Sequence, residues 1–459
     1  MIPLSLADIA AIVNAEVSGD AGVRVGHVVA DSRLCAPGDL FVAIPGERVD
    51  GWDFIDTAAA SGAAAALATR PSALPTVVVP DPVSALGALA RHAVAELPGL
   101  TVVAVTGSSG KTSTKDLLAV VMAARGPVVA PAGSMNTEVG LPLTALLCDV
   151  TTRTLVAEMG ARGVGHVAYL CDLTPPDIAV VLNVGSAHLG EFGSREVIAT
   201  AKGEIVEALS DDGIAVLNAD DPLVAAMAAR TTARVVTFGA SPSADLRITD
   251  LQLDPLTRPS FTLTFDGESA DVSLTVSGEH SAWNAAAAAL AGCAAGLSLD
   301  DVARALSSAR AVSRWRMEIS TTPDGIIVVN DAYNANPDSM AGALKSLAEM
   351  GRRNQGRTFA VLGEMKELGD ESVSAHDQLG RLAVRLNVGQ VIAVGEGARP
   401  IHMGAAHEGS WNGESAYVAT IDEAVGLLAD LLQPGDIVLI KASRSVGLER
   451  VAEALGATP

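Results

Sequence analysis

The feature that most constrains the fold of this chain is a glycine- and serine-rich turn at residues 106–112. The β-branched apolar run 101–106 before it predicts a buried strand, and the spacing of residues 113–124 after it predicts a helix. Glycines let a backbone wrap around an anion, and a helix N-terminus points N–H groups at it. The turn therefore predicts a phosphate-binding loop. Its residues are Thr106, Gly107, Ser108, Ser109, Gly110, Lys111 and Thr112.

Two side chains of this loop have specific expected roles. Lys111 would reach the β- and γ-phosphates of a nucleotide, and the Thr112 hydroxyl would ligate magnesium. The long P-loop pattern has four residues between its glycines, whereas this chain has two, Ser108 and Ser109. A Gly/Ser turn with a chance Lys-Thr pair is the alternative, and the strand–loop–helix context favours the phosphate loop.

Alternating strand and helix patterns predict an α/β protein of three domains. The 459 residues suffice for three domains of about 100–200 residues each. Residues 1–98 predict a small α/β unit, within which the spacing of residues 53–70 indicates a helix. Residues 99–312 predict a parallel, doubly wound sheet with an antiparallel part at 245–276. Residues 313–459 predict a second Rossmann-like fold.

Charge and composition exclude several classes of protein. The formal net charge is −22, which disfavours a nucleic-acid-binding face and requires any phosphate site to be built locally. No uninterrupted apolar run reaches about 18 residues, so no membrane span is expected. The N-terminus lacks the basic region of a signal peptide. The four cysteines are scattered, as in a reducing cytoplasm, which is the location we expect.

Three further polar residues stand at the predicted ends of strands or the start of a helix. Glu158 ends a predicted strand, at the sheet edge where doubly wound folds place ligand groups, so it is a candidate magnesium ligand beside Thr112. His188 follows the next predicted strand, and Lys202 opens a helix. Taken alone, such a histidine is typical of a satisfied loop residue and such a lysine of the surface.

Together these residues resemble the Mur ligase family, and the resemblance covers essentially the whole chain. The family's loop is T-G-x-x-G-K-S/T, which accounts for the short spacing, and Glu158, His188 and Lys202 stand in matching contexts. The resemblance implies that Glu158 and His188 bind magnesium. It also implies that Lys202 is carbamylated, which would give a carboxylate that helps to hold a magnesium site, and that Lys111, His188 and Lys202 are catalytic.

Other segments are similar to the branch of the family that adds D-alanyl-D-alanine. Residues 31–33 and 38–46 resemble its UDP-binding domain, residues 136–142 a segment near the sugar-peptide substrate, and residues 331–340 a signature of the branch. The sequence lacks the D-N-P-R motif of the diaminopimelate- or lysine-adding branch. The implied substrate-binding residues are Ser32, Arg33, Asn136, Thr137, Tyr333, Asn334, Asn336, Lys441 and Ser443.

The resemblance also extends to the nucleotide site. It implies that Asn284 contacts adenine, that Arg316 reaches the ATP phosphates and that Asp331 binds the ribose. Ser281 stands where the family commonly has a first asparagine, and residues 441–444 have alanine for glycine in a K-G-S-R segment.

The implied activity is an ATP- and magnesium-dependent ligase of the cytoplasm. It would join UDP-N-acetylmuramoyl-tripeptide to D-alanyl-D-alanine through an acyl-phosphate, the last step of the peptidoglycan pentapeptide precursor. Because Lys111 and Arg316 lie in different predicted domains, we expect the chain to be open without ligands and closed in the ternary complex. We also expect a monomer. A folylpolyglutamate synthase and a P-loop nucleotide switch are the alternatives. The third residue of the tripeptide is left open.

Overall fold

The computed structural model describes residues 1–46, 49–185, 192–310, 312–409 and 414–457. Over these residues the chain forms three α/β units, each built on a mainly parallel sheet, as the sequence predicts. None of the helices in these ranges is long and apolar enough to cross a membrane.

The N-terminal unit is a parallel sheet with an antiparallel strand at one edge. From edge to edge its strands are Glu16–Ser18, Thr76–Val78, Ala65–Ala68, Asp39–Val42 and His27–Val29. A separate pair of short strands is formed by Leu4–Ser5 and Arg24–Val25. The helices are Leu6–Val13, Ile55–Ser61 and Pro82–Ala95.

The prediction of one helix over residues 53–70 is wrong. The helix Ile55–Ser61 ends at Gly62, which has a left-handed φ of 111°, and Ala65–Ala68 is a fully buried strand of the sheet. A run of alanines contains no polar residue that would mark an exposed face. Its sequence pattern is therefore the same whether it forms a buried strand or a buried helix. Gly62 was the available signal, because a left-handed glycine commonly ends a helix.

The central unit has the predicted doubly wound sheet with an antiparallel extension. From edge to edge its strands are Glu268–Ser273, Pro259–Phe265, Leu246–Leu253, Arg234–Gly239, Ile214–Asn218, Ile178–Val181, Thr101–Thr106, Thr154–Glu158 and Val128–Val129. The second of these strands is antiparallel to both the first and the third. The helices are Lys111–Met122, Gly140–Ala145, His166–Leu173, Arg195–Glu207, Pro222–Ala225, Ser281–Ala294 and Leu299–Ser308.

The order of strands in the central sheet positions the phosphate loop. The strand Thr101–Thr106 lies between Ile178–Val181 and Thr154–Glu158 and is parallel to both. The C-terminal ends of these strands therefore meet at one edge, which is where open α/β sheets bind ligands. The alanine-rich helix Ser281–Ala294 packs against Lys111–Met122, because its small side chains allow a close approach.

The third unit has the predicted Rossmann-like arrangement with one antiparallel edge strand. Its strands are Glu318–Thr321, Ile327–Asn330, Ile437–Lys441, Thr358–Leu362, Gln390–Val394 and Ser415–Val418. Its helices are Pro337–Asn354, Ser372–Arg385, Arg399–Glu408, Ile421–Leu431 and Glu449–Ala454.

The central and third units touch each other in this structure. Arg353 Nη1 donates to the carbonyl of Leu253 at 2.7 Å, and Asn354 Nδ2 donates to the carbonyl of Pro255 at 2.7 Å. These contacts join the end of a third-unit helix to the antiparallel extension. The two units thus form the walls of one cleft.

Candidate active site

A cleft of about 1030 Å³ lies between the central and third units. It contains most of the residues that the sequence singled out. Those that line it are Ser108, Ser109, Gly110, Lys111, Thr112, Asn136, Thr137, Glu158, Lys202, Asn284, Arg316, Asp331, Tyr333, Asn334, Asn336 and Lys441. His188 lies outside the described residues.

The phosphate loop is braced by the strand ends on either side of it. Thr106 Oγ1 donates to the carbonyl of Met159 at 2.9 Å. Asn183 Oδ1 accepts from the Ser109 N–H at 3.0 Å, and its Nδ2 donates back to the Ser109 carbonyl at 3.2 Å. Sequence reasoning missed Asn183, although a polar residue directly after a strand beside the loop was the signal.

Gly110 directly precedes the helix Lys111–Met122 and has a backbone conformation that favours glycine. Its φ is 82°, and a Cβ there would lie 2.5 Å from Asn284 Oδ1. Asn284 is 5% exposed, and its Nδ2 has no hydrogen-bond partner among the described residues. A buried amide donor without a partner is costly, so this group is available to a ligand in the cleft.

Lys111 lies over the loop from which it projects. Its Nζ donates to the Gly107 carbonyl at 2.7 Å. Desolvation lowers the pKa of Lys111, the carboxylate of Glu158 opposes this shift, and Arg316 adds to it. An incoming phosphate would stabilise the ammonium, because an opposite charge nearby favours the charged form.

Glu158 has the features of a cation ligand. It is fully buried, and its Oε1 accepts from Asn136 Nδ2 at 2.7 Å, from Ser134 Oγ at 3.0 Å and from Thr112 Oγ1 at 3.3 Å. Its Oε2 is buried and has no partner within the described part of the chain. A carboxylate oxygen that is buried without a hydrogen-bond partner is energetically costly unless a nearby cation compensates its charge.

The residues present fit a magnesium ion. Glu158 Oε2 and Thr112 Oγ1 would hold it. The ranges that the structure describes contain no cluster of three or more His, Cys, Asp or Glu side chains that could hold a metal. Magnesium requires few protein ligands where substrate phosphates and water complete its coordination shell.

Lys202 is a buried lysine in the interior of the helix Arg195–Glu207, so the prediction that it opens a helix is wrong. It is 3% exposed and lines the cleft. Desolvation, with a further contribution from the Lys111 charge, lowers the pKa of Lys202 well below its usual value. The lowered pKa favours the neutral amine, and a neutral amine is the form that reacts with CO₂.

The helix around Lys202 is fixed from two sides. Glu204 accepts from the N–H groups of Gly165 and Ala168 at 2.5 and 2.9 Å, which caps the neighbouring helix. Arg230 crosses the helix at Gly203, where a Cβ would lie 1.8 Å from its Nη1. These ties hold Lys202 in a defined position.

Arg316 reaches from the third unit to the phosphate loop. Its Nη2 donates to Thr112 Oγ1 at 3.1 Å, and its guanidinium stacks over the ring of Tyr333 at 4.2 Å. Its Nε is buried with no hydrogen-bond partner among the described residues. This donor is available to an anion that enters the cleft.

Asp331 and Lys441 form a buried pair beside Arg316. Lys441 Nζ donates to Asp331 Oδ2 at 2.6 Å and to the Asn334 carbonyl at 2.9 Å. Desolvation lowers the pKa of Lys441 although Asp331 opposes the shift. In the described structure Lys441 thus supports the segment 331–336, which carries Tyr333 and Asn336 into the cleft.

Ser443 lies apart from the lining of the cleft. Its Oγ accepts from the Lys366 N–H at 2.9 Å. The neighbouring His376 is fully buried, with Nε2 accepting from the Met365 N–H at 2.8 Å and Nδ1 donating to the Ser372 carbonyl at 2.6 Å. Both residues hold the segment 363–369 in place.

Comparison with known proteins agrees with this geometry. Three family models match the chain: the Mur ligase family, catalytic domain, over residues 24–101; the Mur ligase middle domain over residues 105–292; and the Mur ligase, glutamate ligase domain, over residues 315–444. A UDP-N-acetylmuramoyl-tripeptide--D-alanyl-D-alanine ligase of Mycobacterium bovis is 47% identical, over 99% of this chain and 98% of its own. The chain belongs to the Mur ligase family.

Solved structures of Mur ligases have the same fold. MurF from Acinetobacter baumannii is 30% identical with a TM-score of 0.89, and the match covers 99% of both chains. A MurF ligase from Thermotoga maritima in complex with ADP is 34% identical with a TM-score of 0.80, over 94% of this chain and 96% of that one.

Two predicted residues of this Mur ligase lie in the N-terminal unit, away from the cleft lining. Ser32 is buried, and Arg33 is exposed and paired with Asp31 at 2.6 Å. Hydrogen bonds from Arg33 lower the pKa of Asp31 to about 2. A role for Ser32 and Arg33 in binding a UDP group stays a prediction.

Sequence reasoning also missed two basic residues of the cleft. Arg162 and His166 line it, and both lie within 3.3 Å of the Glu138 carboxylate. Arg162 lies in the glycine-rich turn 160–165 after the strand that ends in Glu158, and His166 begins the next helix. Two polar residues so soon after that strand were the available signal.

Proposed function

We propose that this chain ligates D-alanyl-D-alanine to UDP-N-acetylmuramoyl-tripeptide with conversion of ATP to ADP and phosphate. The reaction completes the pentapeptide precursor of peptidoglycan. The proposal is carried by the convergence, in one cleft, of the phosphate loop, the buried carboxylate of Glu158 and Arg316 from the opposite wall. The 47% identical relative bears the name of this activity.

The chemistry requires activation of a carboxylate. A free carboxylate does not condense with an amine in water, because it is anionic and has no good leaving group. Transfer of the γ-phosphoryl group of ATP to the tripeptide carboxylate gives an acyl-phosphate. The amine of D-alanyl-D-alanine then attacks the acyl carbon, and phosphate leaves from the tetrahedral intermediate.

Repulsion between anions is the main obstacle to the first step. Two like charges about 4 Å apart repel by about 4 kcal/mol at an effective dielectric constant of 20. Lys111 and Arg316 are the side chains placed to offset this charge, and the loop N–H groups add their dipoles. Magnesium, when bound at Thr112 and Glu158, would supply further neutralisation of the phosphate oxygens.

The walls of the cleft come from different units, and this suits a reactive intermediate. An acyl-phosphate hydrolyses if water reaches it, and closure of the central unit on the third excludes water. Closure also aligns the carboxylate with the γ-phosphate, and phosphoryl transfer requires little beyond such positioning.

A substrate-panel assay of phosphate release tests this function. We expect release only when ATP, magnesium, UDP-N-acetylmuramoyl-tripeptide and D-alanyl-D-alanine are all present. Release with ATP alone would indicate a nucleotide switch, and turnover with a folate and glutamate would indicate a folylpolyglutamate synthase. Single D-alanine in place of the dipeptide is the matched control, and crossing tripeptides with different third residues determines that preference.

We also propose that Lys202 acts in its carbamylated form. Lys202→Ala should lose most activity, and a small carboxylic acid such as acetate should restore part of it, because alanine leaves room for the acid. Lys202→Met is the matched control, since its side chain fills the same space and should prevent rescue. Full activity of Lys202→Ala would remove the carbamate from the mechanism.

We propose further that the enzyme acts in the cytoplasm as a monomer that holds no nucleic acid and does not insert into membranes. Both described walls of the cleft come from the same polypeptide, which supports a monomer. Light scattering of the active enzyme should give the mass of one chain, 46.5 kDa. A stable dimer at assay concentrations would contradict this part of the proposal.

A further inference from the structure

A largely buried lysine–aspartate pair lies on the helix that follows the phosphate loop, with Asp116 at the edge of the cleft, and the reaction described above leaves the pair without a role. Lys115 is 2% exposed, and its Nζ lies 2.5 Å from Asp116 Oδ1. Removing two charges from water is costly, and apolar residues often replace such a pair without loss of stability. The pair therefore points to a purpose other than stability.

The pair holds one residue of the connection to the third unit. Asp116 Oδ2 accepts from the Ser313 N–H at 3.0 Å, and Lys115 Nζ lies 3.5 Å from Ser313 Oγ. Lys115 Nζ also donates to the Pro131 carbonyl at 2.8 Å. Ser313, 7% exposed, is thus bound by the central unit through both its backbone and its side chain.

The segment after Ser313 carries Arg316 in a strained backbone. Trp315 and Met317, on either side of Arg316, have left-handed φ values of 59° and 51°. Bulky residues rarely adopt this conformation, and it persists where the surroundings impose it. The far end is held within the third unit, because the Met317 N–H donates to Asp331 Oδ1 at 3.1 Å.

The same helix face bears both the phosphate-contacting residues and the pair. Lys115 and Asp116 come four residues after Lys111 and Thr112, which is one helical turn. The helix therefore joins the loop that would hold the phosphates to the segment that supplies Arg316.

We propose that Lys115 and Asp116 are positioning residues that set Arg316 over the phosphate loop by holding Ser313. This inference rests on the proposed function. The pair does not touch the reacting atoms. It fixes the near end of the strained segment, so that the Arg316 guanidinium meets Thr112 and the γ-phosphate when the units close.

Asp116→Asn tests the proposal with little change in volume. The Ser313 N–H and Lys115 Nζ are bound by different oxygens of the Asp116 carboxylate, and in the amide one of these oxygens is replaced by an NH₂ donor, so one of the two bonds is lost. We expect kcat to fall about tenfold or more, while the KM for D-alanyl-D-alanine stays within about twofold. In an Arg316→Ala background the same substitution should have less than about a twofold effect, because no guanidinium is left to position.

The matched control is Arg353→Ala. This variant removes another hydrogen bond between the same two units, to the carbonyl of Leu253, without touching Ser313 or Arg316. Its kcat should stay within about twofold of the wild type. An equal fall in Arg353→Ala and Asp116→Asn would mean that general loosening of the units, and not placement of Arg316, causes the loss.

Equal factors for Asp116→Asn in the wild-type and Arg316→Ala backgrounds would overturn the proposal. A crystal structure of Asp116→Asn provides a readout that needs no turnover. Arg316 Nη2 should leave Thr112 Oγ1, and retention of the 3.1 Å contact would also overturn it. Ser313→Pro, which removes the N–H that Asp116 accepts and leaves the ion pair intact, serves in both experiments if Asp116→Asn does not fold. A wild type inactive on these substrates would instead refute the proposed function.

Discussion

At the scale of single residues, the cleft contains ionisable groups whose burial opposes stability. Lys202 and Glu158 are 3% and 0% exposed, and Glu158 Oε2 has no partner among the described residues. Such groups persist where function requires them, at a cost to the folded state. Substitution of such a group should therefore lower activity without an equal loss of stability.

Lys202→Met should raise the melting temperature at pH 7 in CO₂-depleted buffer. The folded state lowers the pKa of Lys202 from 10.5, so the unfolded chain binds more protons and the stability of the wild type rises with pH. The gain from Lys202→Met should shrink as the pH approaches 10.5. Lys345→Met, at an exposed position of the cleft wall, is the control and should change the melting temperature little. A lower melting temperature for Lys202→Met would contradict the account.

Glu158→Gln should lower activity by about 100-fold or more and raise the magnesium concentration needed for half-maximal rate. The reason is that the amide keeps the volume of the side chain but removes the charge that would hold the cation. The stability of the ligand-free protein should not fall by a comparable amount, since the charge has no compensating cation there. A magnesium titration of wild type and variant checks both statements, and unchanged titration curves would exclude Glu158 as a ligand.

At the scale of elements, the phosphate loop depends on the fit between its last glycine and the alanine-rich helix. Gly110 combines a left-handed φ of 82° with a close approach to Asn284. The strand Thr101–Thr106 and the following helix could be predicted because their patterns differ in period and a glycine turn separates them. The Asn183 brace could not, because it depends on which strands are neighbours in the sheet.

Gly110→Ala should lower activity at least tenfold, because the new Cβ pushes Asn284 and distorts the loop. Gly435→Ala is the matched control: its φ is 90° and no other group lies within 4 Å of a Cβ there in the described structure. That variant should lose about 1–2 kcal/mol of unfolding free energy and keep its activity. Denaturant melts and phosphate-release rates measure both effects. Equal activity of the two variants would contradict the assigned role of this turn.

At the scale of the whole molecule, the cleft differs in charge from the rest of the protein. Of the described residues that line it, eight are Lys or Arg and seven are Asp or Glu, whereas the chain has 31 and 53. Cations are thus concentrated where two anionic substrates must meet, and the remaining surface is acidic.

Closure of the two units should be visible in solution. Small-angle scattering should show a smaller radius of gyration when an ATP analogue and UDP-N-acetylmuramoyl-tripeptide are both bound, because Lys111 and Arg316 are then drawn to the same phosphates. The ligand-free enzyme, or the enzyme with the sugar peptide alone, is the reference. An unchanged radius would contradict the expected opening and closing.

The sequence predicted the three α/β units, the doubly wound sheet and the antiparallel hairpin, because long periodic segments separated by glycine turns determine them. It did not predict the strand at Ala65–Ala68, where alanine marks no face, nor the pairing of Lys441 with Asp331. It also missed Lys115 and Asp116, whose partner Ser313 is 197 residues from Asp116 along the chain. Contacts of that range depend on the assembled fold and not on local pattern.

The most direct test of the central claim is a crystal structure with a non-hydrolysable ATP analogue and Mn²⁺ in place of Mg²⁺. The account predicts an anomalous peak beside Glu158 Oε2 and Thr112 Oγ1, with the triphosphate bound by the 106–112 loop, Lys111 and Arg316. A triphosphate bound elsewhere, or a metal peak away from Glu158, would contradict it.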